Sequence, residues 1–76
     1  MLDTKNLSLC FGEFVRVRRA MCDLTQAEVA ERLGIAQAQY SRIERGLRIV
    51  DFPLAVKICE ILNTDLRVFL SEYIDM

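Results

Sequence analysis

Residues 25–46 read TQAEVAERLGIAQAQYSRIERG, and this stretch decides the fold. Its first residue is a threonine, and Glu28 follows three positions later, which is the capping-box pattern that begins a helix. Gly34 favours the left-handed conformation that ends this helix, and Gly46 ends the next one. The stretch therefore predicts two short helices joined by a tight turn, the second running from about Gln37 to Arg45.

The second helix of this pair has an apolar face and a polar face. Tyr40 and Ile43 are spaced to pack inward. The opposite face carries Gln37, Ala38, Ser41, Arg42 and Arg45. Glutamine pairs with the N6 and N7 atoms of adenine, arginine with O6 and N7 of guanine, and a small side chain leaves room for a thymine methyl. We expect this helix to enter the DNA major groove, and the alternative is an ordinary solvated surface.

Capping residues outside this pair predict three more helices. One runs from about Leu9 to Cys22 with helical spacing of its apolar residues. Another starts at Asp51, has Pro53 in its first turn and ends before Asn63. The last starts near Asp65. We therefore expect an all-α chain, a compact five-helix DNA-binding domain that occupies residues 1–76 with the helix-turn-helix at about 25–46.

Composition excludes several classes of protein. The apolar runs are far shorter than the roughly 20 residues that span a bilayer, and nothing resembles a signal peptide, so we expect a cytoplasmic protein without membrane contact. The chain has three cysteines without CxxC spacing and no histidine, so we expect neither a metal nor a cofactor. Without a nucleophile motif or a paired-carboxylate pocket, we do not expect an enzyme.

Charge is unevenly distributed along the chain. The formal net charge is −1, yet residues 1–50 hold eight basic and six acidic side chains, whereas residues 51–76 hold two and five. This asymmetry suits a DNA-binding face in the first part and a different partner in the second. The apolar share of 53% is high for so short a chain, which favours a surface covered by a second copy.

Residues along most of the chain carry a family resemblance. They are Gly12-Glu13, Arg19, Leu24-Thr25-Gln26-Ala27-Glu28-Val29-Ala30, Leu33-Gly34-Ile35, Ser41-Arg42-Ile43-Glu44-Arg45-Gly46 and Leu62. Together they resemble the lambda-repressor/Cro-type helix-turn-helix, also called the xenobiotic-response-element family, over about residues 12–69.

The resemblance implies a role for each residue of the predicted site. Gln26 would touch a phosphate and brace Gln37, which reads a base. Ala38 and Ser41 would lie in the groove. Arg42 would reach a base or a phosphate, and two later arginines would hold the backbone beyond the helix. The expected DNA-binding set is Gln26, Gln37, Ala38, Gln39, Ser41, Arg42, Arg45 and Arg48.

The resemblance also implies a structural ion pair and shows three departures. Arg19 and Glu44 would form a salt bridge from the first helix to the end of the recognition helix. Asp23 replaces the usual glycine, which implies an aspartate in a left-handed turn. Ala36 replaces the usual Ser or Thr cap, at a cost of about 1 kcal/mol. Val50 stands where proline is common.

The last predicted helix has two interpretations. Its apolar stripe is Phe69, Leu70, Tyr73 and Ile74. The stripe either closes the core of the monomer or forms a twofold dimer contact. A dimer would place two recognition helices about 34–36 Å apart and bind a palindromic operator in double-stranded DNA.

Two functions remain from the sequence. The first is a transcriptional regulator, a repressor, that binds its operator as a homodimer. The alternative is an antitoxin-like protein-interaction module, in which the acidic and apolar C-terminal helix binds another protein.

Overall fold

The computed structural model describes residues 3–74, which form helices without any strand in that range. The helices are α1 (Thr4–Met21), α2 (Gln26–Leu33), α3 (Gln37–Glu44), α4 (Phe52–Ile61) and α5 (Leu66–Phe69), and α5 continues as a π-helical turn over Leu70–Ile74. The predicted all-α, five-helix fold is confirmed. None of the helices in residues 3–74 is long and apolar enough to span a bilayer.

Helix α1 begins earlier than the predicted start near Leu9. Asp3 is its N-cap, and the carboxylate accepts a hydrogen bond of 2.8 Å from the backbone N–H of Asn6. The first turns carry exposed side chains such as Leu7, so they lack the inward-facing pattern from which the start was predicted. The cap, not burial, sets the start of this helix.

Left-handed residues end the helices around the site. Gly34 has φ 73° after α2 and Gly46 has φ 72° after α3. Asp23 has φ 56° between α1 and α2, so the expected aspartate in a left-handed turn is confirmed. Asn63 takes the same conformation, with φ 57°, after α4. These short turns leave little freedom in how successive helices pack.

The core is formed by side chains from all five helices. Its largest fully buried side chains come from α1, α2, α3 and α4 and the residue after α4, and they are Phe14, Val15, Val29, Tyr40, Ile43, Ile58 and Leu62. Every α-helix contributes at least one buried apolar residue. Helix α3 is therefore held against the body of the protein by its inner face.

The C-terminal helix closes this core. Phe69 is only 4% exposed, and its ring centroid lies 5.3 Å from those of both Phe11 and Phe14. Tyr73 stacks on Phe69 at 5.5 Å. Of the two interpretations of the apolar stripe, closure of the monomer core is the one that applies to Phe69, because the monomer already buries it. Of the predicted stripe, only Leu70 is exposed, while Tyr73 and Ile74 are half-buried against the core.

Gly12 allows α1 to approach the end of α3 closely. It is buried, and a Cβ atom built on it would lie 2.5 Å from the backbone oxygen of Glu44 and 2.6 Å from that of Ile43. Real carbon–oxygen contacts are not this short. The absence of a side chain at Gly12 therefore fixes how near α3 lies to α1.

Candidate nucleic-acid interface

The start of α2 is fixed by a reciprocal cap. The backbone N–H of Glu28 donates to the Thr25 hydroxyl at 3.1 Å, and the backbone N–H of Thr25 donates to the Glu28 carboxylate at 2.9 Å. The predicted capping box is confirmed. The hydrogen bond from the Thr25 backbone lowers the pKa of Glu28 below its ordinary value. The box places Gln26 at the first position of α2.

The turn between α2 and α3 is short, and its three backbone N–H groups are hydrogen-bonded. Beyond the left-handed Gly34, the backbone N–H of Ile35 donates to the carbonyl of Ala30 at 3.1 Å, which is the Schellman pattern. Helix α3 then begins at Gln37, as predicted. This turn fixes the angle between the two helices and so directs the outer face of α3 away from the body of the protein.

The first turn of α3 lacks a side-chain cap at Ala36, as the sequence indicates. The structure shows a partial substitute that the sequence analysis missed. The side-chain oxygen of Gln39 accepts a hydrogen bond of 3.3 Å from the backbone N–H of Ala36. Gln39 occupies the position of the glutamate or glutamine in a capping box, and that spacing was the available signal.

The outer face of α3 is an exposed polar surface. We call this the α3 outer face, and its members are Gln37, Ala38, Gln39, Ser41, Arg42 and Arg45; Ser41 is half-buried and the others are exposed. Arg48, which follows α3, is half-buried. Within residues 3–74, the guanidinium groups of Arg42, Arg45 and Arg48 form no salt bridge. Their charge is therefore available to an anionic partner.

An ion pair anchors the opposite side of α3. Arg19 Nε donates to Glu44 Oε2 at 2.6 Å, and Arg19 Nη2 donates to Glu44 Oε1 at 3.1 Å. A third donor of the same guanidinium, Nη1, reaches the carbonyl of Leu24 at 2.9 Å. The Arg19 side chain is 19% exposed and that of Glu44 only 2%. This pair joins α1, the loop before α2 and the end of α3.

Gln26 contacts the same carboxylate. Its Nε2 donates to Glu44 Oε1 at 2.9 Å, so the side chain braces Glu44, a contact that the sequence analysis missed. The buried carboxylate is charged, and a charged acceptor makes a stronger hydrogen bond than the neutral amide of Gln37. Gln26 therefore connects the start of α2 to the end of α3.

These contacts control the ionisation of Glu44. Burial raises the pKa of its carboxyl group, but the hydrogen bonds from Arg19 and Gln26 outweigh burial and hold the pKa below the ordinary value of 4.5. The hydrogen bond to Glu44 likewise raises the pKa of Arg19. Burial raises the pKa of the neighbouring Tyr40 far above its usual range. Glu44 and Arg19 are thus both charged at neutral pH, and Tyr40 is neutral.

The other chemically reactive side chains are dispersed through the fold. In the described part of the chain, no three His, Cys, Asp or Glu side chains are arranged to hold a metal ion. Cys22 donates a weak hydrogen bond to the carbonyl of Leu62 at 3.3 Å, and burial raises the pKa of Cys59 to about 11. These two thiols contribute to packing and capping in the fold.

Two short helices in this arrangement, with one polar outer face, define a helix-turn-helix DNA-binding domain. The family model for the helix-turn-helix of lambda-repressor/Cro type matches residues 15–69, so this chain belongs to that family.

Solved structures give the same result. Two crystal structures of ClgR, the clp gene regulator of Corynebacterium glutamicum, are similar to this chain, each with a TM-score of 0.84. One is 27% identical and is aligned over 92% of this chain and 74% of its own. The other is 26% identical, with 95% and 92% aligned. A comparison with curated protein sequences gives no match.

Proposed function

We propose that this chain is a sequence-specific transcriptional regulator that places α3 in the major groove of double-stranded DNA. The observation that carries the proposal is the combination of an exposed α3 outer face with an inner face fixed by the Arg19–Glu44 ion pair. Because the helix backbone is already fixed in this way, DNA binding does not have to order it first. The structural likeness to a gene regulator supports the same function.

The α3 outer face divides into base-contacting and backbone-contacting residues. Gln37, Ala38 and Ser41 lie on the first two turns and would meet base edges. Arg42 would reach a base or a phosphate. The phosphate contacts would come from Arg45 and Arg48 beyond the helix and from Gln26 at the start of α2. One N–H of the Gln26 side-chain amide donates to Glu44, and the amide oxygen and the second N–H remain for other contacts. Gln39 would contact DNA with the same side-chain amide whose oxygen accepts a hydrogen bond from the backbone N–H of Ala36.

The regulator acts as a homodimer in this proposal. One α3 reads only a few base pairs, and two copies related by a twofold axis would read a palindromic operator with half-sites about one helical turn apart. Binding of such a dimer represses transcription, because a dimer bound at the operator blocks the access of other proteins to it. A cytoplasmic location follows from this function.

Arg45→Ala tests the phosphate contacts. We expect the variant to weaken binding to specific and unrelated duplexes alike, and to reduce the slope of log K against log salt concentration by about 1. The reason is that Arg45 is exposed just beyond α3 and would release one condensed counterion. Fluorescence anisotropy with labelled duplexes at several salt concentrations measures both quantities.

Arg16→Ala is the matched control. Arg16 is also an exposed arginine, but it lies on α1 and outside the proposed interface. The Arg16→Ala variant should leave the affinity for DNA and the salt dependence of binding unchanged. Equal effects of the two substitutions would contradict the placement of the DNA at α3, and salt-independent binding would contradict phosphate contacts altogether.

The second candidate function is an antitoxin-like protein-interaction module. The net acidic charge of residues 51–76 favours it, together with the exposed Leu70 on the C-terminal helix. Affinity purification distinguishes the two candidates, because recovery of this chain alone would count against a dedicated protein partner.

A further inference from the structure

The first turns of α1 contribute little to the core. Lys5 and Leu7 are exposed there, and the buried residues of the helix begin only at Phe11. The Asp3 cap nevertheless starts the helix at Thr4. Ordering these turns costs conformational entropy that burial in the monomer does not offset. They are therefore available for a contact outside the monomer.

The chain that follows α3 lies directly against these turns. Gly46 has φ 72°, and a Cβ atom built on it would lie 2.7 Å from both the Cα and the Cδ2 atoms of Leu9. Carbon atoms that are not bonded to each other do not come this close, so only a glycine allows the approach. The start of α1 therefore has a fixed position beside the end of α3.

A groove separates the first turns of α1 from the chain after α3. Its volume is about 300 Å³, several times the roughly 30 Å³ that one water molecule occupies in the liquid, so a phosphate group fits in it. We call it the Lys5 groove, and the residues that line it are Thr4, Lys5 and Ser8 from α1 and Gly46, Leu47, Arg48 and Ile49 from the chain after α3.

The Lys5 groove is positively charged. Lys5 and Arg48 line it, and none of the described residues around it carries a carboxylate. Neither cation forms a salt bridge within residues 3–74. The carboxylate of the nearby Asp3 caps α1 and lies outside the lining. Thr4 and Ser8 add hydroxyl groups that can donate hydrogen bonds. Cations and hydroxyl donors together suit a phosphate group.

We infer that the Lys5 groove binds a phosphate of the DNA backbone beyond the end of α3. This inference rests on the proposed function and extends its interface from α3 to the start of α1. Arg48 belongs to both surfaces, so the groove continues the proposed phosphate contacts. The C-terminal end of a recognition helix is a place where proteins meet the sugar–phosphate backbone. The exposed Leu47 and Ile49 would lie against the neighbouring sugar.

Lys5→Met tests the inference, because methionine keeps an unbranched side chain and removes the charge. Lys5 is exposed, so the variant should remain folded, which circular dichroism checks. Binding to specific and unrelated duplexes should weaken alike, since a phosphate contact carries no sequence information. The slope of log K against log salt concentration should fall by about 1 for each chain bound. The advantage of the parent chain should then shrink about 3.5-fold between roughly 50 and 200 mM salt, measured by fluorescence anisotropy.

Lys57→Met is the matched control. Lys57 is the other lysine of the chain, and it is exposed on α4 and outside the Lys5 groove, so the substitution removes the same charge at a different place. The control variant should bind DNA like the parent chain. Equal effects of the two substitutions would overturn the inference, because the loss would then follow from net charge and not from the groove.

Duplexes with a single neutral linkage locate the contact. A methylphosphonate removes the charge of one phosphate, and it is placed at each backbone position in turn. At one position beyond the end of α3, the neutral linkage should weaken binding of the parent chain and of Lys57→Met, and it should weaken binding of Lys5→Met less. If every position affects the three proteins equally, the inference is overturned.

The inference and the proposed function can fail separately. If Arg45→Ala reduces the salt dependence of binding and Lys5→Met does not, the groove binds no phosphate, whereas the interface at α3 stands. A parent chain that binds no duplex at any salt concentration would contradict the proposed function and the inference together.

Discussion

Arg19→Met is expected to lower the free energy of unfolding by about 3–5 kcal/mol at neutral pH, the cost of leaving a buried charge without its partner. The variant keeps an unbranched apolar stem but removes the donors that hold Glu44, whose side chain is 2% exposed. Only the hydrogen bond from Gln26 would then remain on the carboxylate. Urea denaturation followed by circular dichroism measures the change.

The pH dependence of the same variant separates lost charge pairing from lost packing. In the parent chain the pKa of Glu44 is depressed, so its stabilising contribution is present above about pH 4.5 and is lost as the pH falls through the folded pKa. In Arg19→Met the carboxylate of Glu44 has lost its cationic partner, so burial raises the pKa of Glu44. Protonation at low pH then neutralises the buried charge and removes its cost. The difference in stability between the two proteins should therefore shrink on acidification.

Arg16→Met is the control for this prediction, since Arg16 is an exposed arginine on the same helix. It should change the stability by no more than about 0.5 kcal/mol. Equal stabilities of the two variants at neutral pH would show that the ion pair contributes nothing to the fold.

Gly12→Ala is expected to lower the free energy of unfolding by about 2 kcal/mol. The added methyl group would meet two backbone oxygens of α3, and overpacking against rigid groups costs about 3 kcal/mol. The better helix propensity of alanine returns about 1 kcal/mol. For a chain of this size, the net change lowers Tm by about 8–16 °C.

Ala20→Gly measures the contribution of helix propensity to stability alone. Ala20 is exposed near the end of α1, where the reverse substitution should cost at most about 1 kcal/mol. Differential scanning calorimetry of both variants completes the comparison. A Gly12→Ala variant as stable as the parent chain would mean that α1 and α3 are not in the close contact described above.

Local sequence signals predicted most of the fold. Thr25 with Glu28, Gly34, Gly46, Asp51 and Asp65 are caps, and a cap acts over one turn of helix, so their positions define the helix ends directly. The start of α1 was misplaced because Asp3 caps turns whose side chains are exposed. An amphipathic pattern cannot indicate a helical turn that does not pack inward.

Contacts between distant residues were predictable only where the family resemblance supplied them. The Arg19–Glu44 pair is such a contact, because residues 25 positions apart show no spacing that joins them. The hydrogen bond from Gln26 to Glu44 was not predicted, because it needs a buried carboxylate within reach of the amide. The position of Glu44 relative to Gln26 depends on the packing of three helices.

Which apolar side chains stay exposed depends on how the helices pack, which the sequence does not contain. Phe69 and Phe52 are both helical phenylalanines, yet one is 4% exposed and the other 71%. Helix α1 buries Phe69, since the rings of its Phe11 and Phe14 each lie 5.3 Å from that of Phe69.

The central claim is that the α3 outer face reads DNA sequence, and parallel selection from a random DNA pool by the parent chain and Gln37→Ala tests it most directly. The parent chain should enrich two inverted half-sites about one helical turn apart. Gln37→Ala should enrich the same arrangement with one base position in each half-site relaxed, at a loss of about 1–3 kcal/mol of discrimination there. Failure of the parent chain to enrich any sequence, or an identical consensus for both proteins, would contradict the claim.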